Sequence, residues 1–351
     1  MTPDAIVAFL SDPRTYGSPM REVIARETHM SWVFLVGDRV YKLKKPLRSD
    51  FVDFSTCARR KSACLAEFRL NRRLAKQTYL DVTPLTWSRN GFAIGGAGEI
   101  VDWLVVMRRL DERLMLETAI LEGRLTGCDL DRLACTLVKF YRHAEPISQT
   151  PEQHVAEWKR GLVYNRRVLL RPALGLPAGL IRRIDSLQGC FLEEHRRRLV
   201  ARGPARRIVD AHGDLRPEHI WLGEPLQIID CLEFSSRLRA LDVLAELAFL
   251  DLECERLGAT WAGKRIRHGV FSRLPGLQDE TLFHFYRSYS AMVRARLAIA
   301  HFLDANPRSP GKWRPQALAY LKLAFADTLR LSRLLRRAKR SIPHAADGWS
   351  R

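Results

Sequence analysis

The sequence predicts an α+β protein with two lobes, in which a small β-rich lobe precedes a larger, mainly helical lobe. Short apolar runs separated by turn residues fill the chain up to about residue 110. Beyond residue 130, long segments carry apolar residues at helical spacing. A β-like stretch at residues 207–234 interrupts these helical segments. We therefore expect the first lobe at residues 1–107 and the second at residues 108–345.

Two strands and one helix are the clearest elements of the first lobe. Residues 31–36 and 39–44 are β-like runs on either side of the turn dipeptide Gly37-Asp38, which predicts a β-hairpin. The pair Ser55-Thr56 is suited to cap a helix at residues 57–76, because a hydroxyl there can accept a hydrogen bond from the first helical turn. Three further strands are expected at residues 81–87, 92–94 and 100–107.

Long helices account for most of the second lobe. In each of them apolar residues recur at helical spacing, so that one face can be buried. In the first lobe, residues 57–76 have the same pattern. The helices predicted for the second lobe are residues 130–142, 155–170, 181–201, 241–257, 279–303 and 315–340.

The composition is that of a soluble globular protein with a strongly basic surface. Of the 351 residues, 46% are hydrophobic and 28% are charged, and the net charge is +19. Such a charge is compatible with a nucleic-acid or anionic-membrane partner, and also with a dispersed arginine-rich surface. The basic residues are dispersed, with short clusters such as residues 196–198 and 336–340. We favour the dispersed surface and expect no nucleic-acid partner.

The cysteines and the apolar runs indicate a cytoplasmic protein. The seven cysteines include no Cys-x-x-Cys pair, and an odd, scattered set is typical of reduced thiols in a cytosol. Residues 1–13 lack a basic stretch followed by an apolar run, so no secretory signal is visible. No apolar run approaches the roughly 20 residues that cross a bilayer. We therefore expect no membrane partner.

The most informative segment combines two β-like pieces with a polar loop. It contains His212-Gly213-Asp214, then His219, and then Asp230 at the end of the second β-like piece. Phosphoryl transfer requires little covalent chemistry from the protein and depends on positioning and charge neutralisation. One carboxylate must orient or accept the proton of the attacking hydroxyl, and another must hold Mg²⁺ against the phosphates. Asp214 and Asp230 can supply these two carboxylates.

This segment resembles the catalytic loop of the aminoglycoside phosphotransferase family, which has a protein-kinase-like fold. That family shows His-Gly-Asp, four variable residues and usually Asn, followed by a metal-binding aspartate. Two segments resemble the sequences of one uncharacterised bacterial branch of the family: Thr-His-Met-Ser-Trp-Val-Phe-Leu at 28–35 and Tyr-Lys-Leu-Lys-Lys-Pro at 41–46. Some members of that branch carry a C-terminal P-loop kinase domain, which we do not expect here. The resemblance implies a two-lobed protein-kinase-like fold over about residues 20–330.

By this resemblance, Asp214 is the catalytic aspartate and Asp230 is the metal-binding aspartate. His219 takes the position of the usual asparagine, where it can be an auxiliary metal ligand or can orient Asp214 or a metal-bound water. Mg²⁺ prefers oxygen ligands, so imidazole is a poorer match than an amide oxygen. Glu233 is near enough in sequence to be a second metal ligand. His212 is expected to brace the loop through backbone hydrogen bonds.

Two lysines on one predicted strand are candidates for contact with the nucleotide. Alternate residues share a face of a strand, so Lys42 and Lys44 point the same way. Glu67 lies among apolar neighbours in the predicted helix, where a glutamate requires a partner. The resemblance implies that Lys42 pairs with Glu67 and reaches the phosphates, with Lys44 as the alternative. Ser31 can donate to a phosphate or act as a cap, and the resemblance places Met107 beside the adenine.

The sequence thus predicts a phosphotransferase that uses ATP and Mg²⁺ and whose acceptor is a hydroxyl group of a small molecule. Two other functions stay open. His219 and the sequence Asp230-Cys231-Leu232, where the family of protein kinases has Asp-Phe-Gly, are compatible with an ATP-binding pseudokinase in a regulatory role. The net charge of +19 is compatible with a basic nucleic-acid-binding protein.

Overall fold

The computed structural model describes residues 2–17, 22–49, 52–300, 302 and 310–340 of the chain. Two positions of the predicted helix at 279–303, residues 301 and 303, lie outside the described residues, as do the last residues of the predicted second lobe, 341–345. Among the helices that the structure describes, none is both long enough and apolar enough to cross a membrane.

Ten β-strands lie within the described residues. They are β1 (Val23–Glu27), β2 (Ser31–Val36), β3 (Arg39–Lys44), β4 (Tyr79–Ser88), β5 (Gly91–Ile94), β6 (Glu99–Arg108), β7 (Ile208–Asp210), β8 (Ile220–Trp221), β9 (Gln227–Ile228) and β10 (Ala240–Asp242).

Twelve α-helices occupy most of the remaining described chain. They are α1 (Pro3–Ser11), α2 (Cys57–Asn71), α3 (Leu116–Leu121), α4 (Gly127–His143), α5 (Pro151–Leu169), α6 (Ala178–Glu194), α7 (Arg196–Val200), α8 (Ser236–Arg239), α9 (Val243–Arg256), α10 (Thr260–Phe271), α11 (Glu280–Ala300) and α12 (Pro310–Arg340). The predicted α+β class is therefore confirmed.

The chain forms two compact units, and each is assembled from two segments. The first unit comprises Met1–His143 and His212–Ala240, and the second comprises Ala144–Ala211 and Leu241–Arg351. The predicted lobe boundary at residues 107 and 108 stays a prediction. The segment that begins at His212 belongs to the same unit as the sheet, so the motif residues and the lysines of β3 lie within one compact unit.

A six-stranded antiparallel sheet organises the first unit. Its strands lie in the order β1-β2-β3-β6-β4-β5. One face packs on α1, where Phe34 and Leu43 join Leu10 in an apolar core. The opposite face packs on α2, where Cys64 contacts the core around Val105. Because side chains alternate along a strand, the residues of β3 on either side of Leu43 face α2.

Helix α2 has polar residues on its buried face. The Thr56 hydroxyl accepts a hydrogen bond from the backbone N–H of Arg59, which caps the helix as predicted. Arg60 is buried and its Nε donates to Oδ1 of Asp102 on β6 at 2.8 Å. Glu67 lies two turns further along the same face and is fully buried. The ion pair to β6 therefore fixes the helix that presents Glu67 to the sheet.

A short hairpin brings the two halves of the motif together. Strand β8 pairs with β9, and Ile220 lies opposite Ile228. The backbone N–H of Ile229 donates to the carbonyl oxygen of His219 at 2.9 Å. His219 immediately precedes β8, and Asp230 is the second residue after the end of β9, so the hairpin places these two side chains side by side.

The second unit is a helical assembly around a buried ion pair as well as an apolar core. Helices α5, α6, α9, α11 and α12 supply the apolar core. Asp242 accepts from Nη2 of Arg202 at 2.9 Å and from the Tyr286 hydroxyl at 3.0 Å. It also caps α9 through the backbone N–H of Leu244. Asp242 is fully buried and has a structural role here.

Several predicted elements are confirmed and others need correction. The hairpin of β2 and β3 and the strands β4, β5 and β6 lie where the sequence predicts them. The helix predicted at 57–76 ends earlier, at Asn71. The helix predicted at 181–201 is two helices, because the chain leaves helical geometry at His195. Sequence patterns missed the helices α1, α3, α8 and α10 and the strands β1 and β10.

Candidate active site

Both lysines of β3 contact the same buried glutamate. Nζ of Lys42 donates to Oε1 of Glu67 at 2.8 Å, and Nζ of Lys44 donates to Oε2 at 2.6 Å. Burial by itself raises the pKa of Glu67, but the two ammonium groups outweigh it and hold that pKa below its usual value. One ionised carboxylate on α2 thus holds both lysines.

The two lysines differ in their second partner and in their exposure. Lys42 also donates to Oδ1 of Asp230 at 2.8 Å, whereas Lys44 donates to Oε1 of Glu233 at 2.5 Å. The Lys44 side chain is 1% exposed and the Lys42 side chain is 16% exposed. Burial opposes the charge on Lys42, but Asp230 and Glu67 raise its pKa well above the usual value. Lys42 is therefore the lysine of the pair that solvent, and hence a ligand, can reach.

His212 holds the loop that carries Asp214 through hydrogen bonds to backbone groups. Its Nε2 lies 2.9 Å from the carbonyl oxygen of Ile229, and its Nδ1 accepts from the backbone N–H of Asp214 at 3.3 Å. These partners require the neutral tautomer with hydrogen on Nε2. Burial and the nearby His219 lower the pKa of His212 to about 4, which agrees with the neutral form. The predicted bracing by backbone hydrogen bonds is confirmed.

Asp214 follows a glycine with left-handed backbone geometry. Gly213 has φ +86°, and a Cβ there would lie 3.0 Å from Cδ1 of Leu232. A residue with a side chain is disfavoured on both counts. The Asp214 side chain is 21% exposed, so the turn leaves its carboxylate in reach of solvent.

Arg216 is a site residue that sequence reasoning missed. Its Nη2 donates to Oδ2 of Asp214 at 2.8 Å, and Nη1 forms an ion pair with Glu218. The available signal was an arginine two residues after the predicted catalytic carboxylate, which is close enough for a local ion pair. The guanidinium fixes one oxygen of Asp214.

His219 lies between Asp214 and Asp230, the two aspartates of the predicted site. Its Nδ1 donates to the carbonyl oxygen of Asp214 at 2.9 Å, and its Nε2 accepts from Nη2 of Arg216 at 3.2 Å. Nδ1 also lies 3.7 Å from Oδ2 of Asp214, and Nε2 lies 3.5 Å from Oδ2 of Asp230. The structure therefore brings both predicted carboxylates to the same imidazole ring.

Asp230 has an unusual backbone conformation and a half-exposed carboxylate. Its φ is +62°, a left-handed value that side chains disfavour. The side chain is 46% exposed. Partial burial raises the pKa of Asp230, but Lys42 and His219 outweigh that effect and hold the pKa far below its usual range. The carboxylate is ionised and accessible.

Three other predicted site residues lie nearby with different surroundings. The Glu233 carboxylate is bound by Lys44 and its side chain is 8% exposed, and burial raises its pKa. Ser31 is buried, and its backbone N–H donates to the Thr28 hydroxyl at 3.0 Å. Met107 is half-buried on β6, opposite Val40. The metal-binding and nucleotide-binding roles of these residues stay predictions.

Few side chains that can bind a metal ion lie near Asp230 in the described part of the chain. Within the described ranges, no three His, Cys, Asp or Glu side chains form a ready-made metal site. Asp230 Oδ2 and His219 Nε2 lie 3.5 Å apart and are the two side-chain atoms that the sequence predicts as ligands of one cation. A cation there requires further oxygen ligands, such as phosphate or water oxygens.

Comparison with known proteins gives relatives in sequence. No family model matches the chain. It is 34% identical over 288 residues to uncharacterized proteins of Mycobacterium tuberculosis (strain H37Rv) and Mycobacterium bovis. The aligned stretch covers 81% of this chain and 56% of each relative. The chain thus spans about half the length of the curated relatives that it matches.

Solved structures share the fold at low sequence identity. A choline/ethanolamine kinase family protein from Mesorhizobium loti aligns with 97% of this chain and 100% of its own, with a TM-score of 0.55 and 16% identity. A choline kinase from Cryptosporidium parvum aligns with 96% of each chain, with a TM-score of 0.52 and 12% identity. A thermostable mutant of the aminoglycoside phosphotransferase APH(4)-Ia covers 92% of this chain and 98% of its own, with a TM-score of 0.54 and 11% identity. The chain has the protein-kinase-like fold of these proteins, and that prediction is confirmed.

Proposed function

We propose that this chain, which has the fold of choline kinases and aminoglycoside phosphotransferases, transfers the γ-phosphate of ATP to a hydroxyl group of a small molecule. One observation carries the proposal. Within a single compact unit, a lysine held by a buried glutamate contacts Asp230, and Asp230 and Asp214 lie on either side of His219. Phosphoryl transfer requires this combination of a cation for the phosphates and two separate carboxylates.

Asp214 is proposed to orient the acceptor hydroxyl and to take its proton. The hydroxyl oxygen forms a bond to the γ-phosphorus, the bond from that phosphorus to the oxygen of ADP breaks, and the hydroxyl proton passes to the Asp214 carboxylate or on to solvent. Arg216 donates to Oδ2 of Asp214, and His219 donates to its backbone carbonyl oxygen. These two contacts are proposed to fix the direction of the carboxylate that meets the acceptor.

Asp230 is proposed to hold Mg²⁺ with a carboxylate oxygen. The fit rests on chemistry, because an ionised, half-exposed carboxylate is the ligand that this hard cation prefers. Mg²⁺ bound there neutralises charge on the phosphate oxygens. His219 Nε2 already accepts from Arg216, and its Nδ1 donates to the carbonyl oxygen of Asp214. Its proposed role is therefore to orient Asp214, with metal ligation secondary. Glu233 is proposed to hold Lys44, because that contact buries its carboxylate.

Lys42 is proposed to bind the nucleotide phosphates. Its ammonium group is shared between Glu67 and Asp230, and it is the more exposed of the two lysines. When a phosphate oxygen takes the place of Asp230 beside this ammonium group, Asp230 is released for the cation. Glu67 stays in contact with the lysine throughout and keeps it directed at the site.

The acceptor is proposed to be neutral or anionic. The net charge of +19 disfavours a cationic acceptor such as an aminoglycoside, because like charges repel at the encounter.

The proposal is tested by measuring ADP formation from ATP and Mg²⁺ in the presence of a panel of neutral and anionic hydroxyl compounds. At least one compound is expected to stimulate ADP formation by the wild type. Asp214→Asn should lower turnover by about 10²–10⁴-fold while nucleotide affinity stays near wild type. Asp230→Asn should raise the Mg²⁺ concentration needed for half-maximal nucleotide binding. ADP formation that survives Asp214→Asn contradicts the assigned chemistry.

A regulatory ATP-binding protein is the second candidate. The observation in its favour is the ion pair between Arg216 and Asp214, which engages the carboxylate that a catalyst needs for its acceptor. This candidate predicts Mg²⁺-dependent ATP binding by the wild type with no compound in the panel stimulating ADP formation. It also predicts that Asp214→Asn changes no measured property beyond stability.

A further inference from the structure

The segment that carries Asp230 is held in a conformation that its own sequence disfavours. Asp230 has φ +62°, and Arg206 is the other non-glycine residue with positive φ in the part of the chain that the structure describes. A left-handed aspartate persists where its surroundings determine the backbone. The contacts that determine it here come from two residues outside the motif.

Two buried side chains accept hydrogen bonds from successive backbone N–H groups of this segment. The N–H of Asp230 donates to the hydroxyl oxygen of Tyr79 at 3.2 Å. The N–H of Cys231 donates to Oδ1 of Asn71 at 2.8 Å. Tyr79 and Asn71 are each 1% exposed, so neither acceptor is easily replaced by water.

Asn71 also links this segment to Glu67, the residue that holds Lys42. Its Nδ2 donates to the carbonyl oxygen of Glu67, one turn earlier in α2, at 2.9 Å. The same helix therefore holds Lys42 through Glu67 and holds the Asp230 segment through Asn71. Tyr79 begins β4, which belongs to the sheet that carries Lys42. The lysine and the carboxylate are thus positioned by one rigid frame.

We propose that Tyr79 and Asn71 are positioning residues that set the direction of the Asp230 carboxylate for a cation and the nucleotide phosphates. This inference rests on the proposed function. The two N–H groups belong to the two peptide planes that flank the Cα of Asp230. Fixing both planes fixes the direction in which the Asp230 side chain leaves the backbone. Neither residue is required to touch the substrate or the nucleotide. Their loss therefore affects the Mg²⁺-dependent part of nucleotide binding.

The test compares the Mg²⁺ concentration for half-maximal ATP binding in the wild type, Tyr79→Phe and Asn71→Ala. Each variant is expected to need about 10-fold more Mg²⁺, because residues that orient a metal ligand commonly change metal affinity by 10–100-fold. ATP binding without Mg²⁺ should stay within about twofold of wild type, since Lys42 and Glu67 are intact. Amide hydrogen exchange of the peptide covering residues 228–234 should accelerate in both variants, which reports the backbone directly.

Tyr16→Phe is the matched control. The Tyr16 hydroxyl also makes one hydrogen bond to the backbone of the first unit, to the carbonyl oxygen of Leu10 at 2.6 Å, but it lies outside the site. The Tyr16→Phe variant should need the same Mg²⁺ concentration for half-maximal ATP binding as the wild type. Folded variants of Tyr79 and Asn71 with a wild-type Mg²⁺ requirement overturn the positioning role alone. A wild type without Mg²⁺-dependent nucleotide binding overturns the proposed function and the positioning role with it.

Discussion

The ammonium group of Lys42 lies 2.8 Å from Oδ1 of Asp230, although 188 residues separate the two in the chain. In the absence of a ligand, the positive charge of the Lys42 ammonium group and the negative charge of the Asp230 carboxylate neutralise each other. Because Asp230 is half-exposed and Lys42 keeps Glu67 as a second partner, a nucleotide can exchange this contact without leaving a buried charge unpaired. The contact supports the proposal that Lys42, and not Lys44, is the β3 lysine that binds the nucleotide.

Lys42→Met should therefore mainly weaken nucleotide binding, whereas Lys44→Met should mainly lower the stability of the protein. Lys42→Met is expected to weaken nucleotide binding by about 10-fold or more, because a charged hydrogen-bond donor to the phosphates is lost. Its effect on stability should be smaller than that of Lys44→Met, since Lys44 still contacts Glu67 and the other partner of Lys42, Asp230, is half-exposed. Lys44→Met is expected to lower the free energy of unfolding by about 3–5 kcal/mol, because it leaves Glu233 buried without its ammonium partner.

Calorimetric titration with a nucleotide and urea denaturation of both variants check this assignment. The opposite pattern, in which Lys44→Met abolishes nucleotide binding and leaves stability unchanged, would assign the phosphate contact to Lys44.

Local sequence patterns predicted the elements of the site better than its connections. The hairpin of β2 and β3 and the presence of a partner for Glu67 follow from a turn dipeptide, strand alternation and a charge in an apolar helix. The contact of Lys42 with Asp230 depends on how distant segments meet, which periodicity does not encode. Asn71 and Tyr79 accept hydrogen bonds from the backbone N–H groups of Cys231 and Asp230. Since every residue except proline has a backbone N–H, no sequence pattern marks the side chains that accept from them.

Helix α10 shows why one element of the second unit was missed. It contains Gly263 and Gly269, and glycine in a helix is unfavourable on propensity alone. A Cβ at Gly263 would lie 2.9 Å from Cα of Asp251 on α9. The glycine therefore allows α10 to pack closely on α9, and tertiary packing outweighs the local preference.

Arg216→Ala should lower turnover by about 10²-fold, if Asp214 acts as proposed. The guanidinium fixes Oδ2 of Asp214 and contacts His219, and the loss of one preorganised charged donor commonly has an effect of this size. The KM for ATP is expected to change little, because the phosphates are assigned to Lys42. Arg216→Lys should restore part of the turnover.

Steady-state kinetics with an acceptor identified from the panel supply the measurement. Arg113→Ala is the control, because Arg113 forms the same local ion pair with an aspartate two residues earlier, Asp111, on an exposed surface. A turnover that falls equally in both variants would show that a lost surface charge, and not the position of Arg216, is responsible.

Gly213→Ala should destabilise the protein and reduce turnover together. The left-handed backbone at φ +86° costs a residue with a Cβ about 1–2 kcal/mol. In addition the new methyl group would meet Leu232 and Arg239 at 3.0 and 3.2 Å. Those contacts displace the loop that carries Asp214, so turnover falls as well as stability.

Gly17→Ala separates the two effects, because Gly17 has φ +72° and no atom within 4 Å of a Cβ placed there. Urea denaturation should show a loss for both variants, larger for Gly213→Ala, and ADP formation should fall in Gly213→Ala alone. Normal turnover in a folded Gly213→Ala protein would contradict a tight geometric requirement at Asp214.

The second unit should lose stability in mild acid through His154. Its Nε2 accepts from Nε1 of Trp158 at 3.4 Å, and its Nδ1 lies 3.2 Å from Oε1 of Gln149, an arrangement that satisfies the neutral ring. Burial lowers the pKa of His154 below the usual 6.5, although the carboxylates of Asp242 and Glu157 act in the opposite direction. Protonation would place a second donor against Trp158.

The sign of the effect follows from linkage. Because the folded-state pKa of His154 is depressed, the unfolded chain binds the proton more readily, and the stabilising contribution is complete above the usual pKa and is lost as the pH falls below it. The thermal midpoint of the wild type should therefore fall more between about pH 8 and about pH 5 than that of His154→Gln. His268→Gln, which changes an exposed histidine of α10, should keep the wild-type pH dependence. Equal acid sensitivity of His154→Gln and the wild type would mean that His154 is not the group responsible, because the removal of a buried neutral imidazole must flatten the pH profile.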